Sequence, residues 1–130
     1  MTHLPALATL LTVLLLFATT VVTGRARGKY GIKAPATSGH PLYERAYRVQ
    51  MNTIESSVLF LPALWLAATS GFSIWAGMAG LVWVIGRVWY ALAYLRDPTT
   101  RGPGFATGML AVLALVAMAC VGVGRALLLG

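Results

Sequence analysis

Residues 43–55, YERAYRVQMNTIE, run without a break into the apolar segment 58–68, VLFLPALWLAA. Together they are long enough to cross hydrocarbon as a helix rising about 1.5 Å per residue, and one end carries ionisable groups. At about 100° per residue, Arg45, Arg48, Asn52, Glu55 and Ser56 fall within about 100° of arc, while Tyr47, Met51, Ile54 and Val58 take the opposite side. Charges in or beside hydrocarbon are costly unless they turn toward a protein interior or a watery cleft where partners wait. The stripe therefore marks a functional site at membrane depth.

Outward from this stretch, the whole chain has the composition of an integral membrane protein. Of 130 residues, 58% are hydrophobic and 10% charged, with a mean hydropathy of +0.78, whereas a soluble domain carries about 25% charge. Four stretches can span a core of about 30 Å: residues 4–23, 45–69, 72–95 and 105–129. Gly24 ends the first, Thr69-Ser70-Gly71 makes a tight connection, and Asp97-Pro98 through Gly104 supplies turn residues before the last. The apolar runs are continuous and about twice the length of a barrel strand, which excludes a β-barrel. No internal repeat is evident, so residues 1–130 read as one all-α, four-helix transmembrane domain. The first segment reads as a spanning helix and not a cleaved signal, because residues 1–5 hold no Lys or Arg and the apolar run exceeds a signal core.

The net charge of +7 is unevenly placed. Arg25, Arg27, Lys29 and Lys33 lie in the first loop, Arg45 and Arg48 at its far edge, and Arg96 and Arg101 flank the third loop; the second has no charge. Basic residues collect on the cytoplasmic side, which places loops one and three there and both termini opposite. The chain therefore reads as a multi-pass integral membrane protein, of the inner or cell membrane if it is bacterial. Orientation accounts for most of the basicity, anionic headgroups for some of the rest, and no nucleic-acid partner is implied. Cys120, alone in the fourth segment with no His or acid near it in sequence, reads as a small buried core residue. His3 and His40 have no ligand-like spacing, so no metal site is expected.

The third segment holds a second polar face. Arg87, Tyr90 and Tyr94 recur at i, i+3 and i+7, spanning about 60°, and Trp83 continues that face outward. Such aromatic stripes are more often packing than chemistry. Opposite the charged face of the second helix, this one reads as the other wall of an anion-binding cleft, since Tyr hydroxyls and guanidinium groups hold carboxylates and thiolates.

Residues 43–55, with Gly39-His40-Pro41 before them and Gly86-Arg87, Tyr90, Tyr94 and Arg101 after them, resemble the signature of the membrane-associated proteins in eicosanoid and glutathione metabolism (MAPEG). The spacings are similar to those of leukotriene-C synthases and microsomal glutathione transferases, and the likeness covers essentially the whole chain. It implies a homotrimer of four-helix subunits with glutathione, as co-substrate, bound between neighbouring subunits on the cytoplasmic side. Carried over position by position, Arg48, Asn52, Glu55 and Tyr90 would contact the γ-glutamyl end of glutathione. Gln50 and Arg27 would reach its glycine end, Tyr94 would line the cleft, and Arg101 would face the thiol. Ser56 stands where leukotriene-C synthases have a tyrosine, so one ligand contact is missing, and the basic pattern around Arg27 aligns in more than one way.

The residues suit that ligand on chemical grounds. Guanidinium forks match its carboxylates, Glu55 can take its ammonium, and an arginine can stabilise its thiolate. The resemblance thus implies a glutathione transferase acting on hydrophobic electrophiles, a detoxifying activity, with lipid hydroperoxide reduction as a possible second reaction. Three readings stand beside it. A lipid-binding scaffold would resemble the lipoxygenase-activating member of the same family. In a purely structural stripe, interhelical hydrogen bonds worth about 0.6 to 2 kcal/mol each would only glue helices. A small transporter is disfavoured, because no helix is broken by paired Gly and Pro at mid-membrane. Ala76 with Gly80, and Gly122 with Ala126, are small residues four apart and a weak sign of a packing face.

Reporter fusions test the topology. Those at Gly39 and Gly102 should read cytoplasmic, and those at Ser70 and after Gly130 should read translocated; a translocated reporter at Gly39 would overturn the placement of the cleft.

Overall fold

The computed structural model describes residues 2–130; Met1, with which the expected domain begins, lies outside them. Four helices run up and down: α1 Leu4–Tyr30, α2 Pro41–Thr69, α3 Ser73–Arg96 and α4 Gly102–Leu129, with a 3-10 turn over Pro98–Thr100 before α4. Each of the four is long and apolar enough to cross a membrane, and an apolar spanning segment must satisfy its own backbone, which a helix does.

Three helix ends differ from expectation, and one is the start of α4, at Gly102 within the expected turn and not at residue 105. Gly24 does not stop α1, since it has no positive φ and the helix runs on to Tyr30. The stop is Gly31, left-handed at φ 68° and ψ 30°, with the Ile32 N–H returning to the Arg27 carbonyl at 3.0 Å. Arg25, Arg27 and Lys29 therefore sit on a helical extension and not in a loop. At its other end, α2 begins at Pro41, where a missing N–H costs no helical bond. His40 caps it, its Nδ1 accepting from the Leu42 N–H at 3.1 Å while its ring stacks on Tyr30 with centroids 3.9 Å apart.

In cross-section α2 and α3 pair at the centre, each packing against both α1 and α4. The core between them is built of small residues around a few large ones: Ala8, Ala63, Leu64, Ala76, Val112 and Leu115 surround a Phe60–Trp83 stack with centroids 3.9 Å apart. Trp83, expected to continue the α3 face outward, is fully buried in that stack and gives its indole N–H to Ser56 Oγ at 3.1 Å. Large apolar side chains such as Phe17, Trp75, Ile85 and Leu110 are exposed around the outside, where lipid would meet them. Cys120 belongs to that outer surface and not to the core, because an apolar solvent lets either face of α4 carry it.

Small residues set how closely the helices approach. Ala76 and Gly80 face inward; a Cβ on Gly80 would meet Ala8 Cβ at 2.8 Å and Leu64 Cδ1 at 3.2 Å. Gly122 faces Ser70, while Ala126 is exposed, so the buried members of both pairs pack within the chain. The tightest crossing with functional consequence joins α3 to α4. A Cβ on Gly86 would lie 2.7 Å from the Gly108 nitrogen, and one on Gly104 would lie 2.5 Å from the Tyr90 nitrogen and 2.8 Å from its Cα. Backbone meets backbone there, so no side chain can swing aside.

Gly104→Ala should consequently destabilise the bundle by about 1 to 3 kcal/mol, the usual cost of overpacking, seen as a lower Tm in detergent. Gly24→Ala, which meets nothing within 4 Å, should be neutral or stabilising by up to about 1 kcal/mol. Equal melting of the Gly104 variant and the wild type would contradict this crossing.

Candidate functional site

The crossing at Gly104 opens on one side into a cleft of about 740 Å³ between α2, α3 and the start of α4, lined by Arg48, Asn52, Tyr90, Tyr94, Thr99, Arg101, Gly102 and Phe105. Two smaller hollows adjoin it. One shares Arg48 and Tyr94 and adds Glu44, Arg45 and Tyr47; the other shares Asn52 and Phe105 and reaches Glu55 and Ser56.

Each wall is fixed by its own local chemistry. On α2, Arg45 reaches across to the end of α3 and donates to the Leu95 and Arg96 carbonyls at 3.4 and 3.2 Å, pairing a cation with the negative end of that helix. Arg48, one turn on, is exposed and free to face a ligand. On α3, Tyr90 is buried, with Tyr94 at 5.6 Å and Phe105 at 6.2 Å between ring centroids. Across the third connection, Asp97 Oδ1 accepts from the Thr99 N–H at 3.1 Å and the Thr99 hydroxyl at 2.9 Å, which holds the Asp97 carboxyl below its usual range. Thr100 Oγ1 donates to the Ala93 carbonyl at 3.2 Å. That tied turn delivers Arg101, whose Nη1 donates to the Pro98 carbonyl at 3.2 Å, to the cleft mouth beside the N-terminus of α4.

Arg87 lies behind this lining. It is 2% exposed, donates from Nη2 to Asn52 Oδ1 at 2.7 Å and Thr53 Oγ1 at 3.1 Å, and lies over the Tyr90 ring at 4.2 Å. Among the described residues its Nε has no hydrogen-bond partner. In the sequence it belongs to the Tyr90–Tyr94 stripe but was not among the expected contact residues. Thr99, Gly102 and Phe105 likewise line the cleft without any sequence signal beyond their place beside Arg101.

Five of the expected residues, Arg48, Asn52, Tyr90, Tyr94 and Arg101, come together in the main cleft, and Glu55 sits exposed in the adjoining hollow. Arg27 and Gln50 do not join them. Arg27 donates to the Ile32 and Ala36 carbonyls at 3.3 and 2.8 Å and to the Tyr43 hydroxyl at 2.6 Å, while Gln50 Nε2 donates to Thr20 Oγ1 at 3.2 Å. On α2, Gln50 is about 160° from Asn52 at about 100° per residue, so one protomer cannot turn both toward the same ligand. What the cleft offers is two guanidinium groups, two phenols and an amide, with a carboxylate alongside, a set that suits a ligand bearing carboxylates and an ammonium.

The model of the MAPEG family matches residues 5–121. An uncharacterized protein of Synechocystis is 44% identical over 112 residues, 86% of this chain and 82% of its own. Human microsomal glutathione S-transferase 2 is 37% identical over 95 residues, 72% of this chain and 65% of its own. Guinea pig (Cavia porcellus) leukotriene C4 synthase is 35% identical over 117 residues, 90% of this chain and 78% of its own.

Proposed function

The chain belongs to the MAPEG family, and on that premise we propose that it is a membrane-bound glutathione transferase, joining the glutathione thiolate to hydrophobic electrophiles, with lipid hydroperoxide reduction as a second reaction. The observation that supports this reading is the meeting of Arg48, Asn52, Tyr90, Tyr94 and Arg101 in one cleft. A scaffold that only presents lipid has no use for two guanidinium groups and two phenols converging at its rim.

In this reading Arg48 forks onto a carboxylate of the γ-glutamyl end, with Asn52 and Tyr90 beside it, and Glu55 takes the ammonium. Tyr94 lines the cleft. Arg27 and Gln50, on the far side of α2, serve the glycine end of a glutathione held in the cleft of a neighbouring copy. That division calls for an oligomer in which each ligand lies between two protomers, as in the homotrimer that the family resemblance implies.

In the same reading Arg101, which lines the cleft beside the N-terminus of α4, faces the thiol. A thiol of pKa about 8.5 is only about 3% ionised at pH 7, and a nearby guanidinium together with a helix N-terminus lowers that value. A charge about 4 Å away at an effective dielectric near 20 supplies at most about 4 kcal/mol, which covers a shift of two to three units at about 1.36 kcal/mol each. The thiolate loses nucleophilicity as its pKa falls, with a Brønsted slope of about 0.4 to 0.5. Much of the acceleration therefore comes from holding it beside an electrophile already concentrated in the bilayer. In the transfer step, the sulfur lone pair forms the new C–S bond, and the leaving group or the enolate carries off the electrons.

Two measurements test these roles. Arg48→Ala should weaken glutathione binding by about 1.5 to 3 kcal/mol, as for a hydrogen bond to a charged group. Arg48→Lys should recover only part, lacking the fork; normal binding by both would remove Arg48 from the site. Arg101→Ala should bind glutathione within a few fold of wild type at a pH where the bound thiol is protonated in both. It should also lose the thiolate ultraviolet absorbance near neutrality and shift the rate's pH dependence upward. A variant keeping the wild-type signal and profile would take Arg101 out of thiol activation.

A further inference from the structure

Behind the cleft, one contact decides what kind of group Asn52 can meet. A carboxamide has an oxygen edge that accepts and a nitrogen edge that donates, and a guanidinium only donates. With Arg87 Nη2 at 2.7 Å, the Asn52 oxygen must be the edge turned inward. Thr53 agrees with this assignment: its hydroxyl proton goes to the Val49 carbonyl at 2.7 Å, so toward Arg87, at 3.1 Å, it can only accept. Arg87 cannot titrate away from this role at ordinary pH, and at 2% exposure it has no water to turn to. Asn52 is half-buried and lines both the main cleft and the hollow leading to Glu55.

We propose that Arg87 is a positioning residue for ligand selection: by holding the Asn52 oxygen, it commits the amide nitrogen to the cleft and makes that point of the site specific for a hydrogen-bond acceptor. The same guanidinium lies over Tyr90 at 4.2 Å, fixing the neighbouring wall. This rests on the glutathione reading of the cleft, and within it the acceptor is the α-carboxylate of the γ-glutamyl residue. Without Arg87 the amide is free to flip, and an oxygen edge facing that carboxylate repels it.

Isothermal titration on the detergent-purified protein tests this with two ligands, glutathione and its analogue lacking that carboxylate, γ-aminobutyryl-cysteinylglycine. Arg87→Met should lose about tenfold or more in affinity for glutathione, the scale of a hydrogen bond to a charged group, while affinity for the analogue stays within about twofold, the margin by which independent changes add. Equal losses for both ligands would reduce Arg87 to a packing role, and no loss for either would remove it from the site; both results overturn the proposal. Should that variant fail to fold, Asn52→Asp keeps a partner for Arg87 but presents oxygen to the ligand. It should melt no lower than wild type and lose glutathione by about tenfold or more, while retaining the analogue. Wild-type glutathione affinity in Asn52→Asp would overturn the proposal. If the wild-type protein itself binds no glutathione, the functional reading fails first and this proposal falls with it.

Discussion

A guanidinium buried about 13 Å along α3 from its charged end must find acceptors inside the bundle, and the cleft wall is arranged around that need. Arg87 takes the Asn52 amide and the Thr53 hydroxyl from α2 and the face of Tyr90 from its own helix. An isolated charge at this depth would cost several kcal/mol, so α2 cannot rotate or slide against α3 without leaving it unpaired. One interaction thereby sets the register of the two central helices and the direction of the amide that lines the cleft.

The other wall depends on the absence of side chains. Gly86, Gly104 and Gly108 let α3 and α4 touch through their backbones, which brings Phe105 against Tyr90 and sets Arg101 over the opening. In lipid, where apolar surfaces gain nothing by leaving solvent, such close backbone packing is a main source of helix association. The 3-10 turn at Pro98–Thr100, tied by Asp97 and by Thr100, carries that positioning from α3 to Arg101. Gly104 packs against the backbone of Tyr90, which lines the cleft, so packing changes near Gly104 should be felt there.

Much of this was legible in the sequence because membrane helices announce themselves by length and composition. The four spans and the two polar stripes follow from uninterrupted apolar runs and about 100° per residue. What escaped has physical causes. Gly24 reads as a stop, yet a glycine stays in a helix unless the chain needs a left-handed turn, which comes at Gly31. Pro41 after His40 marks a helix start by the proline rule, but a search weighted toward hydropathy passes over a polar first turn. The exposure of Cys120 is unreadable because both faces of α4 are apolar. Trp83 reads as an extension of the polar face by its spacing, whereas its ring stacks in the core and only its N–H is used for polar contact. The separation of Gln50 from the cleft follows from arithmetic alone, since it falls outside the arc that holds Arg48, Asn52 and Glu55, whereas that of Arg27 depends on the helical extension of α1 and its hydrogen bonds to Ile32, Ala36 and Tyr43.

Glutathione binding in the cleft is the property on which the proposed chemistry depends. Equilibrium titration of glutathione into the detergent-purified protein should give saturable binding of one ligand per protomer, with a Kd of about 1 mM or tighter, equivalent to at least about 4 kcal/mol. Absence of saturable binding up to about 10 mM, in protein shown to be folded, would contradict it.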